Sequence, residues 1–295
     1  MKTLGSILTA MITPFDASGA LDAKEAARVA KWLVDRGNDG LVVAGSTGEG
    51  MTLSSDERYE LFGAVKAAVA GRATVIANIG TSDTRSTVRA AKEAHTAGAD
   101  ALLVVVPPYS KPTQGGMLEH FGAVAEATPL PVAVYNIPGR TAANMLPETL
   151  LELNRRHPSI TAVKESSGDL MQIATILRDR PDGFTVWSGD DYLFLPALSL
   201  GADGVIGVAS HVCSREYRAL FDAFRSGDWA RAAYIHSSLL ELFDALFAVS
   251  NPIPIKWVMG EMGFAVGRCR SPLDTIPESL AQRLQPLISG YLANV

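Results

Sequence analysis

Short apolar runs alternate with amphipathic stretches along almost the whole chain. The strand-like runs are Ser6–Thr13, Gly40–Ala44, Thr74–Ile79, Ala101–Val106, Val132–Ile137, Ile160–Lys164, Phe184–Ser188 and Val205–Val208. Between them the hydrophobic spacing predicts helices, for instance over Ala23–Arg36 and Asp56–Ala70, with Ser54 or Ser55 placed to cap the second. A strand that reads as a continuous apolar run is buried on both faces. Strands separated by helices pair in parallel through right-handed crossovers. Eight such units predict an α/β fold, a closed (β/α)8 TIM barrel, rather than an open sheet.

The competing architecture, a doubly wound sheet, would want a glycine-rich nucleotide loop. Gly45-Ser-Thr-Gly-Glu-Gly50 matches neither GxGxxG nor GxxxxGK[ST]. Beyond the eighth unit the pattern is helical and broken at Asn251-Pro-Ile-Pro254. The expected organisation is a barrel over residues 1–228 and a C-terminal helical extension over 229–295 packed on it.

Composition narrows the class. The 295 residues suit an α/β barrel, and 47% hydrophobic against 19% charged residues can bury a large core. A net charge of −5 gives no reason to expect nucleic acid or an anionic membrane as partner. No apolar run approaches the roughly 20 residues of a membrane span, and no charged leader with a cleavage site opens the chain. A cytoplasmic protein is expected. Cys213 and Cys269 form no CxxC pair and are too few for a disulfide framework or a zinc knuckle. The histidines at 95, 120, 157, 211 and 236 show no HxxxH or HxH spacing. No metal site is expected.

Candidate chemistry centres on Lys164, a cation at the end of the apolar run Ile160-Thr-Ala-Val163. Desolvation disfavours a buried ammonium and favours the neutral amine, which can condense with a ketone to give an imine. The alternative is a structural ion pair with Glu165. In a barrel, function gathers at strand C-termini and the loops that follow. Those positions supply Gly45-Ser46-Thr47-Gly48-Glu49, Pro107-Pro108-Tyr109, Tyr135-Asn-Ile-Pro-Gly-Arg140-Thr141, Lys164, Ser188-Gly189-Asp190-Asp191 and Gly204-Val-Ile206-Gly207. Hydroxyls, phenols, a guanidinium and an amine on one rim favour the imine over the ion pair.

Each other candidate has two readings. The Gly-Ser-Thr-Gly turn is either a tight strand-to-helix connection or an anion-facing loop whose hydroxyls relay protons. Tyr135 is a core aromatic or, one strand from Lys164, a proton donor. Arg140 is a solvated loop charge or a fork for a substrate carboxylate. Asp190 and Asp191 invite a metal, but are read here as the cap and first-turn acid of the next helix.

Taken together and in order, Ile12-Thr-Pro-Phe15, GSTGE, Pro107-Pro-Tyr-Ser-Lys-Pro-Thr-Gln114, YNIPGRT, VKESSGD, SGDD, GVIGVAS and NPIPIKW at 251–257 resemble the dihydrodipicolinate synthase / N-acetylneuraminate lyase superfamily of pyruvate-dependent class I aldolases. The resemblance spans nearly the whole chain and is nearest to the synthase branch. It implies condensation of pyruvate with L-aspartate 4-semialdehyde to 4-hydroxy-tetrahydrodipicolinate, the first step of the diaminopimelate–lysine pathway. It further implies that Lys164 forms the imine, that Thr47 holds the pyruvate carboxylate, and that Tyr135, Ser46 and Tyr109 relay protons. Tyr109 would reach into a neighbouring subunit's site, implying a dimer within a homotetramer. Arg140 would bind the semialdehyde carboxylate, and Gly189 and Ile206 would line the pocket. No cofactor is implied beyond the covalent imine.

Some positions depart from that pattern. Ser46 stands where the synthases usually carry threonine, and serine there is also typical of neuraminate lyases. Pro108 replaces a tyrosine often found before Tyr109. Ser55, Arg58, Ser82 and Ser86 match poorly the lysine-feedback site of many bacterial synthases, so lysine inhibition is expected to be weak or absent. The competing readings are a neuraminate lyase, a keto-deoxy sugar-acid aldolase or a related dehydratase, against which Arg140 speaks. A non-catalytic keto-acid sensor would not need Lys164 beside Tyr135. A phosphate-binding barrel would not place Asp190 and Asp191 after its seventh strand.

Overall fold

The computed structural model describes residues 4–292; the outermost residues of the two expected segments, 1–3 and 293–295, lie outside it. Its strands are β1 (Ile7–Ala10), β2 (Gly40–Val43), β3 (Thr74–Asn78), β4 (Ala101–Val105), β5 (Val132–Asn136), β6 (Ile160–Glu165), β7 (Thr185–Ser188) and β8 (Gly204–Gly207). Each pairs in parallel with the next, and β8 returns to β1. The expected (β/α)8 barrel is therefore closed.

The helices are α1 (Ala23–Asp35), α2 (Ser55–Val69), α3 (Thr84–Thr96), α4 (Gln114–Glu126), α5 (Pro138–Thr141), α6 (Pro147–Arg156), α7 (Leu170–Asp179), α8 (Phe194–Leu200), α9 (Ser210–Ser226), α10 (Trp229–Phe247), α11 (Ile253–Glu261) and α12 (Glu278–Leu292). Ser54 opens α2 with a reciprocal capping box: its hydroxyl accepts from the Glu57 N–H, while the Glu57 carboxylate accepts from the Ser54 N–H. The last three helices pack against α9 and one another and supply the C-terminal helical part of the fold.

Strand alternation divides the core in two. Leu8, Ala10, Val42, Ile76, Leu103, Ala133, Tyr135, Ala162, Trp187 and Ile206 form a cluster of their own inside the barrel. Their neighbours in sequence, such as Ile7, Leu41, Val75, Leu102, Val134 and Val163, join the larger core between strands and helices. Residues i and i+2 share a face, so this is the period of two made visible.

The first strand is shorter than its apolar run. After Ala10 the chain leaves the ladder: the Ile12 N–H donates to His211 Nε2 (3.1 Å) and Thr13 Oγ1 donates to the Gly48 carbonyl (2.6 Å). His211 Nδ1 in turn donates to the Val208 carbonyl at 2.8 Å. A buried neutral imidazole thus ties the β1 exit to the β8 exit. Burial pushes its pKa down to about 4, against the opposing pull of the Val208 carbonyl.

Within the apolar stretch Leu239–Ala248, the side chains of Leu239, Leu242, Phe243, Ala245 and Leu246 are buried in the chain's own core. Leu240 and Phe247 stay more than a third exposed, at 37% and 38%.

Candidate active site

Lys164 lies inside β6 rather than at its end, because the strand runs on to Glu165. Its Cα is paired with Tyr135 on one side and Trp187 on the other, so three side chains at one level point into the barrel. Lys164 and Tyr135 are each only 5% exposed, and the lysine Nζ stands 4.3 Å from the centroid of the Tyr135 ring.

Glu165 faces the other way, as alternation requires. Its carboxylate accepts from Asn136 Nδ2 (3.0 Å), Gln172 Nε2 (3.0 Å) and the Ser167 N–H (2.7 Å), outside the barrel interior. Burial raises its pKa, and those hydrogen bonds oppose the rise. The Lys164–Glu165 ion pair is therefore excluded by geometry.

Gly189 is tight against the lysine. A Cβ there would lie 1.8 Å from Ser166 Oγ and 2.7 Å from Lys164 Cε. Only a hydrogen fits beside the stem of the amine.

The turn after β2 folds back on its own strand. A Cβ on Gly50 would stand 1.9 Å from the Ala44 carbonyl oxygen, and one on Gly48 would stand 2.9 Å from that of Met11. Ala44 and Glu49 adopt positive φ, 57° and 51°. The turn is a tight strand-to-helix connection, and this compression sets where Ser46 and Thr47 stand. Thr47 is buried, and its Oγ1 accepts from Asn251 Nδ2 at 2.8 Å.

A cavity of about 230 Å³ opens on the rim, with Ser46, Tyr135, Arg140, Arg58, Asn78 and Pro108 on its wall. Ser46, Tyr135 and Arg140 are thus brought together, and the Lys164 amine stands against the face of the Tyr135 ring. Arg140 Nη2 lies 3.4 Å from the Asn251 carbonyl, a weak restraint on an otherwise exposed guanidinium. Ile206 joins Tyr135 in the barrel interior. Tyr109 does not join them: it is 94% exposed, on a loop where it and Lys111 hold positive φ (69° and 47°).

The aspartate pair behaves differently from its expected role. Helix α8 begins after Leu193 with no side-chain cap. Asp190 Oδ1 accepts from the Tyr192 N–H (2.9 Å), and buried Asp191 accepts from the Val208 N–H (3.0 Å) and the Tyr217 hydroxyl (2.5 Å). Asp191 therefore organises the β8–α9 turn, a task set by the barrel's closure that local sequence does not reveal. Among the described residues no group of three His, Cys, Asp or Glu is placed to hold a metal.

Sequence reading gave no role to Glu49, Asn251 or Lys256. Glu49 and Lys256 form a fully buried ion pair, Oε1 to Nζ 2.8 Å, with side chains 1% and 2% exposed. Its one sequence signal is the signal that singled out Lys164, a lysine set in an apolar segment. Arg58 was noted only as a departure, yet it lines the cavity. Its Nη2 donates to the Gly50 carbonyl, its Nε has no partner, and burial lowers its pKa.

A closed barrel with an amine buried beside a phenol near its rim cavity fits one class, a pyruvate-dependent class I aldolase-type lyase. Comparison with known proteins is specific. The family model described as the dihydrodipicolinate synthetase family matches residues 3–290, and the chain belongs to that family. It is 48% identical over 289 residues to the 4-hydroxy-tetrahydrodipicolinate synthase of Symbiobacterium thermophilum, covering 98% of each chain. A crystal structure of the Cyanidioschyzon merolae synthase with lysine bound superposes with a TM-score of 0.96 at 43% identity, covering 98% of this chain and 99% of that one. The Bacillus anthracis dihydrodipicolinate synthase gives 0.95 at 38% identity, covering 100% and 99%.

Proposed function

We propose that this chain condenses pyruvate with L-aspartate 4-semialdehyde to 4-hydroxy-tetrahydrodipicolinate, through an imine formed on Lys164. The observation that carries the assignment of roles is the buried Lys164–Tyr135 pair, next to a cavity that also presents Ser46 and Arg140.

In this reading Lys164 attacks the C2 ketone of pyruvate while Thr47 and its turn hold the carboxylate. Tyr135, with Ser46, passes protons as the carbinolamine loses water. The protonated imine then withdraws electrons from C3, one methyl proton departs, and the enamine attacks the semialdehyde carbonyl. Arg140 orients that second substrate by its carboxylate. The substrate's own amine finally displaces Lys164 by transimination and closes the ring. The cationic imine is itself the electron sink, so the sequence of steps calls on no metal or organic cofactor.

The exposed Tyr109 fits a residue that acts in a neighbour's site. We accordingly infer a homotetramer built as a dimer of dimers, with Tyr109 completing the relay across the tighter contact. Trp229 and Tyr234 on α10 leave large aromatic side chains 70% and 75% exposed. Residues 1–228 would carry the catalytic barrel and 229–295 the extension packed on it. A cytoplasmic location fits two free cysteines and the absence, among the described residues, of any helix long and apolar enough to cross a membrane.

The test is pyruvate consumption by the purified protein with aspartate semialdehyde, run beside N-acetylmannosamine and glyceraldehyde. Rapid turnover with the semialdehyde alone is expected. Turnover with a sugar aldehyde instead would move the chain to another branch, and no turnover with any would refute the enzyme reading.

A further inference from the structure

Among the described residues, one lysine besides Lys164 is buried. Lys256, on α11, is 3% exposed, and its Nζ donates to Glu49 Oε1 (2.8 Å) and to the Arg268 carbonyl (3.1 Å). It also stands 4.2 Å from the centroid of the Phe15 ring. Glu49 Oε2 accepts from the Arg270 N–H at 2.7 Å. Both oxygens of this carboxylate are thus held by the C-terminal extension. A lysine so fully engaged is not a second nucleophile. Burial pushes its pKa down while the Glu49 carboxylate holds it up.

A buried ion pair is poor evidence for stability, because desolvation consumes most of the attraction. Such a pair does fix geometry, since losing either partner strands the other charge. Here the fixed object is a turn: Glu49 lies two residues after Thr47, in the left-handed conformation that closes the Gly45–Gly50 loop. Asn251, just before α11, reaches the same turn by donating Nδ2 to Thr47 Oγ1 at 2.8 Å. With its oxygen accepting from Asn251, the Thr47 hydroxyl keeps its own proton free to donate.

We propose that Lys256, Glu49 and Asn251 are positioning residues for the substrate-carboxylate turn, so that the C-terminal extension sets the affinity of the barrel for its keto acid. The inference rests on the reading in which Thr47 binds the pyruvate carboxylate. It assigns the extension an effect that falls mainly on capture of the first substrate, since the extension meets Arg140 only weakly, through the Asn251 main-chain carbonyl that Asn251→Ala retains.

Two variants test it in the full-length protein. Glu49→Gln with Lys256→Met removes both charges together, which avoids a stranded buried ion. Asn251→Ala removes only the contact to Thr47. Each is incubated with pyruvate over a concentration series, reduced with borohydride and weighed intact, giving the half-saturation of imine formation; steady-state kcat and the KM for semialdehyde are measured alongside. The pyruvate half-saturation should rise about ten- to a hundredfold, the range expected when a binding group is misplaced by around an ångström. The KM for semialdehyde should change less than about twofold, and kcat at saturating pyruvate should follow it. Wild-type half-saturation in both variants, or equal losses for both substrates, would overturn the proposal. Should the double variant fail to fold, Asn251→Ala decides alone. Wild-type protein that traps no pyruvate would instead defeat the assignment of Lys164, a separate failure.

Discussion

Lys164 and Tyr135 are direct partners across the β5–β6 ladder, and the amine lies 4.3 Å from the centre of the phenol ring. Parallel pairing fixes this relationship through the backbone, so neither side chain needs a flexible loop to find the other. Groups held on rigid strands are pre-organised, and that spares the reaction the entropy of assembling them. The register also places Trp187 at the same level on β7.

Replacing Lys164 by alanine should abolish the borohydride-trapped pyruvate adduct and lower kcat by about a thousandfold or more. The variant should melt like the wild type, because the lost amine makes no ion pair with Glu165. A trapped adduct in Lys164→Ala would mean that another amine is the nucleophile.

Arg140→Ala should leave the pyruvate adduct intact while raising the KM for semialdehyde about ten- to a hundredfold, the scale of a lost charge-assisted hydrogen bond. Equal damage to pyruvate trapping and semialdehyde use would remove Arg140 from its second-substrate role.

Tyr109 offers a test by mixing. Lys164→Ala and Tyr109→Phe subunits, each nearly inactive alone, should regain activity when denatured and refolded together. In a hybrid pair the site with an intact Lys164 receives an intact Tyr109 from its partner. No recovery in verified hybrids would show that the tyrosine acts elsewhere.

His211 sets an acid limit on stability. An unfolded chain binds a proton on this ring below pH 6.5, whereas the folded protein resists until about pH 4. Protonation therefore favours unfolding between those values, and stability falls as pH drops through them, by about 3 kcal/mol in all. His211→Gln keeps an acceptor and a donor but does not titrate. The Tm of the wild type should fall relative to that variant from pH 6.5 to 4; parallel curves would contradict the linkage.

Lysine should not inhibit appreciably. Ser55, Ser82 and Ser86 carry no charge, so none of these three positions pairs with either ammonium group of lysine. Half-inhibition by sub-millimolar lysine in a steady-state assay would reject this.

The barrel was legible because strands buried on both faces leave unbroken apolar runs, and Lys164 was legible because it interrupts one. Strand ends were less so. Apolarity continues through Met11 and Ile12, but Met11 makes the last bond to β2, at the Val42 carbonyl, and the Ile12 N–H goes to the His211 ring instead. The role of Asp191 was hidden for a similar reason: its partners, Val208 and Tyr217, are neighbours only once the barrel closes. Lys256 and Glu49 lie 207 residues apart, and no local pattern can pair them. Sequence thus displayed the proposed reacting groups more readily than the groups packed around them.

Gly189 limits how this lineage can drift. Even a methyl group would collide with Ser166 and with the stem of Lys164. Any codon change that adds a side chain would require Ser166 to turn away and the stem of the proposed nucleophile to shift. In a population of random variants selected for growth, this small unreactive residue should therefore be as intolerant of replacement as the amine itself.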